Sequence, residues 1–184
     1  MAQVHMKLEK LLLQNRTIIL KRWLDSILES YSSDTKRFLK KQSDQFANPV
    51  GQTISKEIGN LFQELLEGVD PARLSPILDR IVRIRAVQDF SPSQAIFFVF
   101  QLKGVIRKEL NKEIRENRLS DELAEFESRI DDMALIAFDV YMRCREKIYE
   151  ISANQAKNQV SRLLQRAGLI SEVPEWEPHQ KETT

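Results

Sequence analysis

The stretch Ser120–Ala167, SDELAEFESRIDDMALIAFDVYMRCREKIYEISANQAKNQVSRLLQRA, contains neither proline nor glycine. Its apolar residues recur every three or four positions, which is the spacing of one face of an α-helix. The members of this heptad seam are Leu123, Phe126, Ile130, Met133, Ala137, Val140 and Cys144. Fully helical, the stretch would be about 70 Å long at ~1.5 Å per residue. We therefore predict one long C-terminal helix, with a break within the polar residues 152–159 as the alternative.

Three earlier helices are marked by a capping residue followed by proline. The pairs are Asn48–Pro49, Asp70–Pro71 (or Ser75–Pro76) and Ser91–Pro92. A polar side chain at this point accepts hydrogen bonds from free backbone N–H groups. Proline at the first helical position lacks an N–H, which would have no partner there. Gln94 completes a capping box with Ser91. The pairs predict helices over about 49–67, 71–89 and 92–117.

The rest of the chain supports an all-α fold. Five glycines and six prolines in 184 residues leave few turns for a β-sandwich or barrel. Residues 12–31 carry one apolar stripe, and residues 95–100 are apolar on every side, so we expect the helix from 92 to be central and surrounded. We predict a bundle of about six helices over 4–168, as a single domain that includes the long C-terminal helix, and a flexible tail over 169–184.

Charge and composition exclude several classes of protein. The formal net charge is +1, so no strong field attracts nucleic acid or an anionic membrane. A single cysteine excludes an internal disulfide. The apolar run at the N-terminus is too short for a signal peptide, and no run approaches the roughly 20 residues of a membrane span. We expect a cytoplasmic protein that neither binds nucleic acid nor inserts into a membrane.

The residue types that carry chemistry do not cluster in the sequence. His5 and His179 lie at opposite ends, which argues against a metal or haem site. Ser33 and Lys36 have the Ser-x-x-Lys spacing but lack the accompanying motifs. Cys144 falls on the heptad seam, where a thiol behaves as a small apolar group with a raised pKa. We predict no catalytic residue, no metal and no cofactor, and hence no enzyme.

One polar group is unusual. Arg85, Gln88 and Asp89 flank the apolar stripe of the helix predicted over 71–89, where half-buried polar side chains need partners. We predict that these side chains have a structural role and fix the corner of the chain before Ser91, with a ligand-sensing cluster as the alternative.

Longer motifs resemble a known family. Residues 83–95, RIRAVQDFSPSQA, preceded by FANPVG at 46–51 and by IILKRW at 18–23, resemble the RsbRD N-terminal domain family. These are sensor-type domains of stressosome co-antagonists in bacteria, and the likeness covers about residues 8–150. It implies an all-helical bacterial regulatory domain, with a globin-like, haem-free and dimeric arrangement as in related proteins.

The resemblance also has a limit. Co-antagonists of this type bind their kinase through a C-terminal STAS domain with phosphorylated threonines, and no such βαβ segment follows the long helix here. We therefore expect a stand-alone sensor in stress-response signal transduction that acts by protein–protein interaction. It would form a homodimer through the heptad seam and contact an unidentified signalling protein. The alternative is a small-molecule or lipid binding bundle in which Phe97, Phe98 and Phe100 line a cavity.

Overall fold

The computed structural model describes residues 7–31, 48–88 and 90–169. These ranges contain seven helices and no strand, which confirms the all-α prediction. The helices are α1 (Leu8–Gln14), α2 (Arg16–Glu29), α3 (Pro49–Glu67), α4 (Pro71–Val87), α5 (Pro92–Glu109), α6 (Asn111–Glu116) and α7 (Ser120–Arg166). None of the helices described is both long and apolar enough to cross a membrane.

The predicted caps begin three of these helices. The Asn48 side chain accepts a hydrogen bond from the Gly51 backbone N–H at 2.9 Å. Asp70 accepts one from the Ala72 N–H at 2.9 Å. Ser91 and Gln94 form the complete capping box. The predicted starts at 49, 71 and 92 are therefore confirmed, because each depends only on groups close together in the chain.

Two helical boundaries differ from the prediction. The helix predicted over 92–117 is interrupted at Leu110, whose φ of −114° and ψ of 13° leave the helical region. Leu110 and Ile114 are both buried, so the short α6 turns its apolar side inward. Pro76 lies inside α4, so the alternative start at Ser75–Pro76 was wrong.

The chain divides into two compact units, Met1–Cys144 and Arg145–Thr184. The single domain over 4–168 stays a prediction. α7 belongs to both units and is helical throughout 152–159, so the alternative of a break there was wrong. None of the side chains of residues 145–169 is buried, so this part of the second unit has no core of its own. The predicted tail lies outside the described residues, apart from Leu169.

The core of the first unit is built on α2 and α5. Trp23 is fully buried, stacks against Phe98 with ring centroids 6.5 Å apart, and donates its indole N–H to the Phe98 carbonyl at 2.7 Å. One turn further along, the Gln101 amide donates to the Ser26 carbonyl at 3.1 Å. These bonds fix α2 against α5.

Residues 120–144 of α7 run antiparallel to α5. Arg107 binds the Glu127 carboxylate with both Nε (2.5 Å) and Nη2 (2.6 Å). Lys103 contacts Asp131 at 2.6 Å, four residues earlier on α5 and four later on α7. Near the start of α5, the Tyr141 hydroxyl donates to the carbonyl of Phe90 at 2.7 Å. The three contacts align the two helices side by side along most of α5.

Candidate functional site

Arg85 lies inside the first unit with only 1% of its surface exposed. Its Nη2 donates to the Ser30 hydroxyl at 2.9 Å and to the Gln94 carbonyl at 3.1 Å. Ser30 follows α2 and Gln94 belongs to the first turn of α5. The Arg85 guanidinium therefore links the C-terminal ends of α2 and α4 to the first turn of α5.

Three aromatic rings surround this guanidinium. Its carbon atom lies 4.4 Å from the ring centroid of Phe90, 5.3 Å from that of Tyr31 and 5.7 Å from that of Phe98. The Tyr31 and Phe90 rings also meet edge to face, with centroids 5.4 Å apart. Aromatic faces attract a cation, and more strongly where water is excluded. We call Arg85 with Tyr31, Phe90 and Phe98 the Arg85 cage.

Burial perturbs both polar groups of the cage. It lowers the pKa of the Arg85 guanidinium from its ordinary value, and Tyr31 partly opposes this effect. It raises the pKa of the Tyr31 phenol, against the smaller lowering by Arg85. Three buried groups of the cage have no hydrogen-bond partner among the described residues: Arg85 Nε, Arg85 Nη1 and the Tyr31 hydroxyl. Arginine remains a cation at neutral pH even so.

The structure describes two of the three predicted residues Arg85, Gln88 and Asp89. Gln88 is exposed and serves as the C-terminal cap of α4, its N–H donating to the Ile84 carbonyl. Asp89 lies outside the described residues. Of the two described residues, Arg85 belongs to the site.

An open pocket of about 350 Å³ adjoins the cage. It is lined by Ser30, Phe90, Ser93, Gln94 and Phe97. Two of these, Ser30 and Gln94, are the acceptors of the Arg85 hydrogen bonds. Two residues that line the pocket are therefore hydrogen-bonded directly to the Arg85 guanidinium.

The heptad seam is not an exposed interface. Phe126, Ile130, Met133, Ala137 and Val140 are buried within the first unit, and Leu123 and Cys144 are half-buried. The prediction that a second copy covers the seam was therefore wrong for these five residues. The seam packs inside its own chain, and an apolar heptad pattern is the same whichever helices cover it.

A different set of apolar side chains is exposed on α5 and α7. Phe97 and Phe100 were expected inside the bundle, but 55% and 38% of their surfaces are exposed. On α7, Leu135 is 67% exposed, and Phe138 and Met142 are exposed as well. Since α5 and α7 lie side by side, we call these five residues the α5/α7 apolar surface. The prediction that α5 is surrounded on every side was wrong.

The same exposure bears on the predicted cavity. Phe98 is buried against Trp23, while Phe97 and Phe100 face outward on α5. The three rings therefore do not line one internal cavity, as the alternative of a small-molecule or lipid binding bundle required.

The other candidate residues do not form a catalytic or metal site within the part of the chain that the structure describes. His5, His179, Ser33 and Lys36 lie outside it. Within it, no three His, Cys, Asp or Glu side chains are grouped as a metal site would need. The Cys144 thiol is half-buried, 3.6 Å from an Asp79 carboxylate oxygen. Burial raises the pKa of this thiol, and Asp79 raises it further.

The fold and these features define an all-helical bundle with a buried cation and an exposed apolar surface. The chain belongs to the family described as the RsbT co-antagonist protein rsbRD N-terminal domain, whose model matches residues 18–156. Membership confirms the resemblance and implies a signalling domain related to the stressosome.

One further comparison gives a more distant relative. An uncharacterized protein of Archaeoglobus fulgidus is 28% identical over 144 residues, which cover 74% of this chain and 82% of that protein. No solved structure matches significantly. The globin-like arrangement and the bacterial origin stay predictions.

Proposed function

We propose that this chain is a non-catalytic, cytoplasmic regulatory domain that works through protein contact, and that its α5/α7 apolar surface binds a second copy of the chain. The observation that carries the proposal is the exposure of five large apolar side chains on two adjacent helices. Exposed apolar patches are a mark of interaction sites.

The stripe on α7 is complementary to itself. Leu135, Phe138 and Met142 follow one another at spacings of three and four, so they share one face of the helix. An antiparallel two-fold pairing centred on Phe138 sets Leu135 against Met142 of the second copy and Phe138 against its own counterpart. Such isologous contacts are the commonest in soluble oligomers.

Charge fits the same pairing. Asp132 and Arg143 are both exposed on one flank of the stripe, at nearly equal distances along α7 from Phe138. The two-fold operation therefore brings Asp132 beside Arg143 of the second copy, and the reverse. Opposite charges at the rim favour this register over a shifted one.

A regulatory role follows from how such a surface responds to a signal. A contact made by a few side chains on α5 and α7 changes when the packing of these helices changes. A signal that favours one arrangement then alters self-association or the binding of another signalling protein. The family's relation to the stressosome supports this reading.

Sedimentation velocity on the purified chain tests the proposal. We expect a concentration-dependent dimer at micromolar concentration, and a monomer for Phe138→Asp, because a carboxylate at the two-fold axis would be buried against its own counterpart. Val87→Asp is the matched control, since Val87 is 67% exposed but lies at the end of α4, outside the apolar surface. Circular dichroism should show both variants folded.

Two results would contradict the proposal. The first is a wild-type chain that stays monomeric throughout the micromolar range. The second is a dimer that Phe138→Asp and Val87→Asp weaken to the same extent.

A further inference from the structure

The unpartnered groups of the Arg85 cage have one chemical property in common. Arg85 Nε and Nη1 can only donate hydrogen bonds, whereas the Tyr31 hydroxyl can donate one and accept one. The donors of these groups outnumber that single acceptor. All three are buried and find no acceptor among the described residues. What the cage lacks is therefore an acceptor, not another donor.

The positive charge of Arg85 also favours an added acceptor. In the described ranges the guanidinium is bonded to a hydroxyl and a backbone carbonyl, both neutral, and to no carboxylate. A buried charge is costly unless a charge of opposite sign compensates it. The aromatic rings of Tyr31, Phe90 and Phe98 compensate only part of that cost. The missing acceptor is therefore most stabilising if it is an anion.

We propose that the Arg85 cage binds a small organic carboxylate, which enters from the adjoining pocket. Its oxygens would accept hydrogen bonds from Arg85 and from the Tyr31 hydroxyl. Its apolar part would lie against Phe90 and Phe97, which line the pocket. A volume of about 350 Å³ holds a small molecule.

The route to the guanidinium passes the Ser30 side chain. Ser30 lines the pocket and accepts a hydrogen bond from Arg85 Nη2. Rotation of its hydroxyl to another rotamer would open this edge of the guanidinium, and the carboxylate would bridge Nη2 and one of the unpartnered nitrogens in a bidentate contact. Charge-assisted bonds of this kind are the stronger. The proposal does not depend on self-association, because it concerns binding within one chain.

Ligand titrations of the full chain test it. Sodium acetate, butyrate and benzoate are each compared with sodium chloride at equal ionic strength, with thermal unfolding as the readout. A carboxylate that binds the folded state raises the midpoint in a saturable way. We expect this for butyrate or benzoate and not for chloride. Isothermal calorimetry then gives the dissociation constant.

Three variants locate the site. Tyr31→Phe keeps the ring and removes the hydroxyl, so the dissociation constant should rise at least about fivefold. Arg85→Met should abolish binding, and Tyr31→Phe serves as the deciding variant if Arg85→Met does not fold. Arg115→Met removes an exposed arginine of α6 and should bind like the wild type.

The proposal is overturned by any of three results. One is the absence of a saturable effect, or an equal effect of chloride. Another is that Tyr31→Phe binds as tightly as Arg115→Met. The third is that only Asp89→Asn, and not the wild type, binds the carboxylate, since the chain's own carboxyl group would then be the acceptor.

Discussion

At the scale of single residues, Cys144 shows how a neighbouring charge sets reactivity. Its thiol lies 3.6 Å from the Asp79 carboxylate on α4, and the pKa of the thiol is raised by burial first and by Asp79 second. Thiols react as thiolates, so a raised pKa slows alkylation at any pH below it. Cys144 is the single cysteine in the chain, which makes this rate easy to measure.

We predict that Asp79→Asn speeds the alkylation of Cys144 by iodoacetamide roughly threefold or more at pH 8. Removal of the carboxylate lowers the thiol's pKa and raises the thiolate fraction, and the difference should shrink as pH rises above both pKa values. Asp121→Asn, in the first turn of α7, is the control and should leave the rate unchanged. An equal or slower rate for Asp79→Asn would refute the assignment.

Arg118 adopts a conformation that favours glycine. Its φ is 57°, in the left-handed region, where the α6 chain turns back toward α7. We predict that Arg118→Gly raises the free energy of unfolding by about 0.5–1 kcal/mol, because glycine avoids the steric cost of this φ. Arg115→Gly, within α6, should lower it by about 1 kcal/mol. Urea unfolding measures both, and a loss of stability in Arg118→Gly would contradict the prediction.

Arg85 shows what sequence reasoning could and could not find. It follows Leu78, Ile81 and Val82 by seven, four and three positions, a spacing that places it on the buried face of α4 rather than on its flank. Full burial was therefore predictable, whereas we predicted a half-buried side chain. Its partner Ser30 lies 55 residues away in the chain, at the end of α2, so the contact depends on the tertiary fold.

At the scale of helices, α5 contains Gly104 at a position where no close contact requires a glycine. A Cβ atom added at Gly104 would meet nothing within 4 Å. We predict that Gly104→Ala stabilises the protein by about 0.5–1 kcal/mol, since alanine loses less conformational entropy in a helix.

Gly51, in the first turn of α3, gives the opposite expectation. A Cβ atom there would collide with the Asn48 side chain that caps the helix. Gly51→Ala should therefore destabilise the protein, in contrast to Gly104→Ala. Thermal unfolding compares the two, and the same sign for both changes would show that local packing does not decide the effect.

The helices also show which signals in the sequence are local. Asn48, Asp70 and Ser91 cap their own helices, so the starts could be predicted without knowledge of the fold. The heptad seam indicated a covered helix face but not what covers it. Phe126 and Ile130 pack inside the chain, while Leu135 and Phe138, on another face of α7, are exposed. Periodicity does not distinguish these cases, because both faces are apolar.

At the scale of the whole molecule, the two proposed binding events share a residue. Phe97 lines the pocket beside the Arg85 cage and also belongs to the α5/α7 apolar surface. A carboxylate packed against Phe97 would change the side chain that a second copy contacts. By linkage, any effect of the ligand on dimerisation must equal the effect of dimerisation on the ligand's affinity.

The central claim is that the stripe on α7 meets its own counterpart at a two-fold axis. Phe138→Cys in a Cys144→Ser background places a single thiol at that axis, and Val87→Cys in the same background is the control. A disulfide needs the two Cβ atoms within about 3.5–4.5 Å, so self-contact at Phe138 permits one. Under mild oxidation at micromolar concentration, we predict rapid formation of a covalent dimer by Phe138→Cys and little by Val87→Cys. Equally slow crosslinking of both variants would contradict the claim.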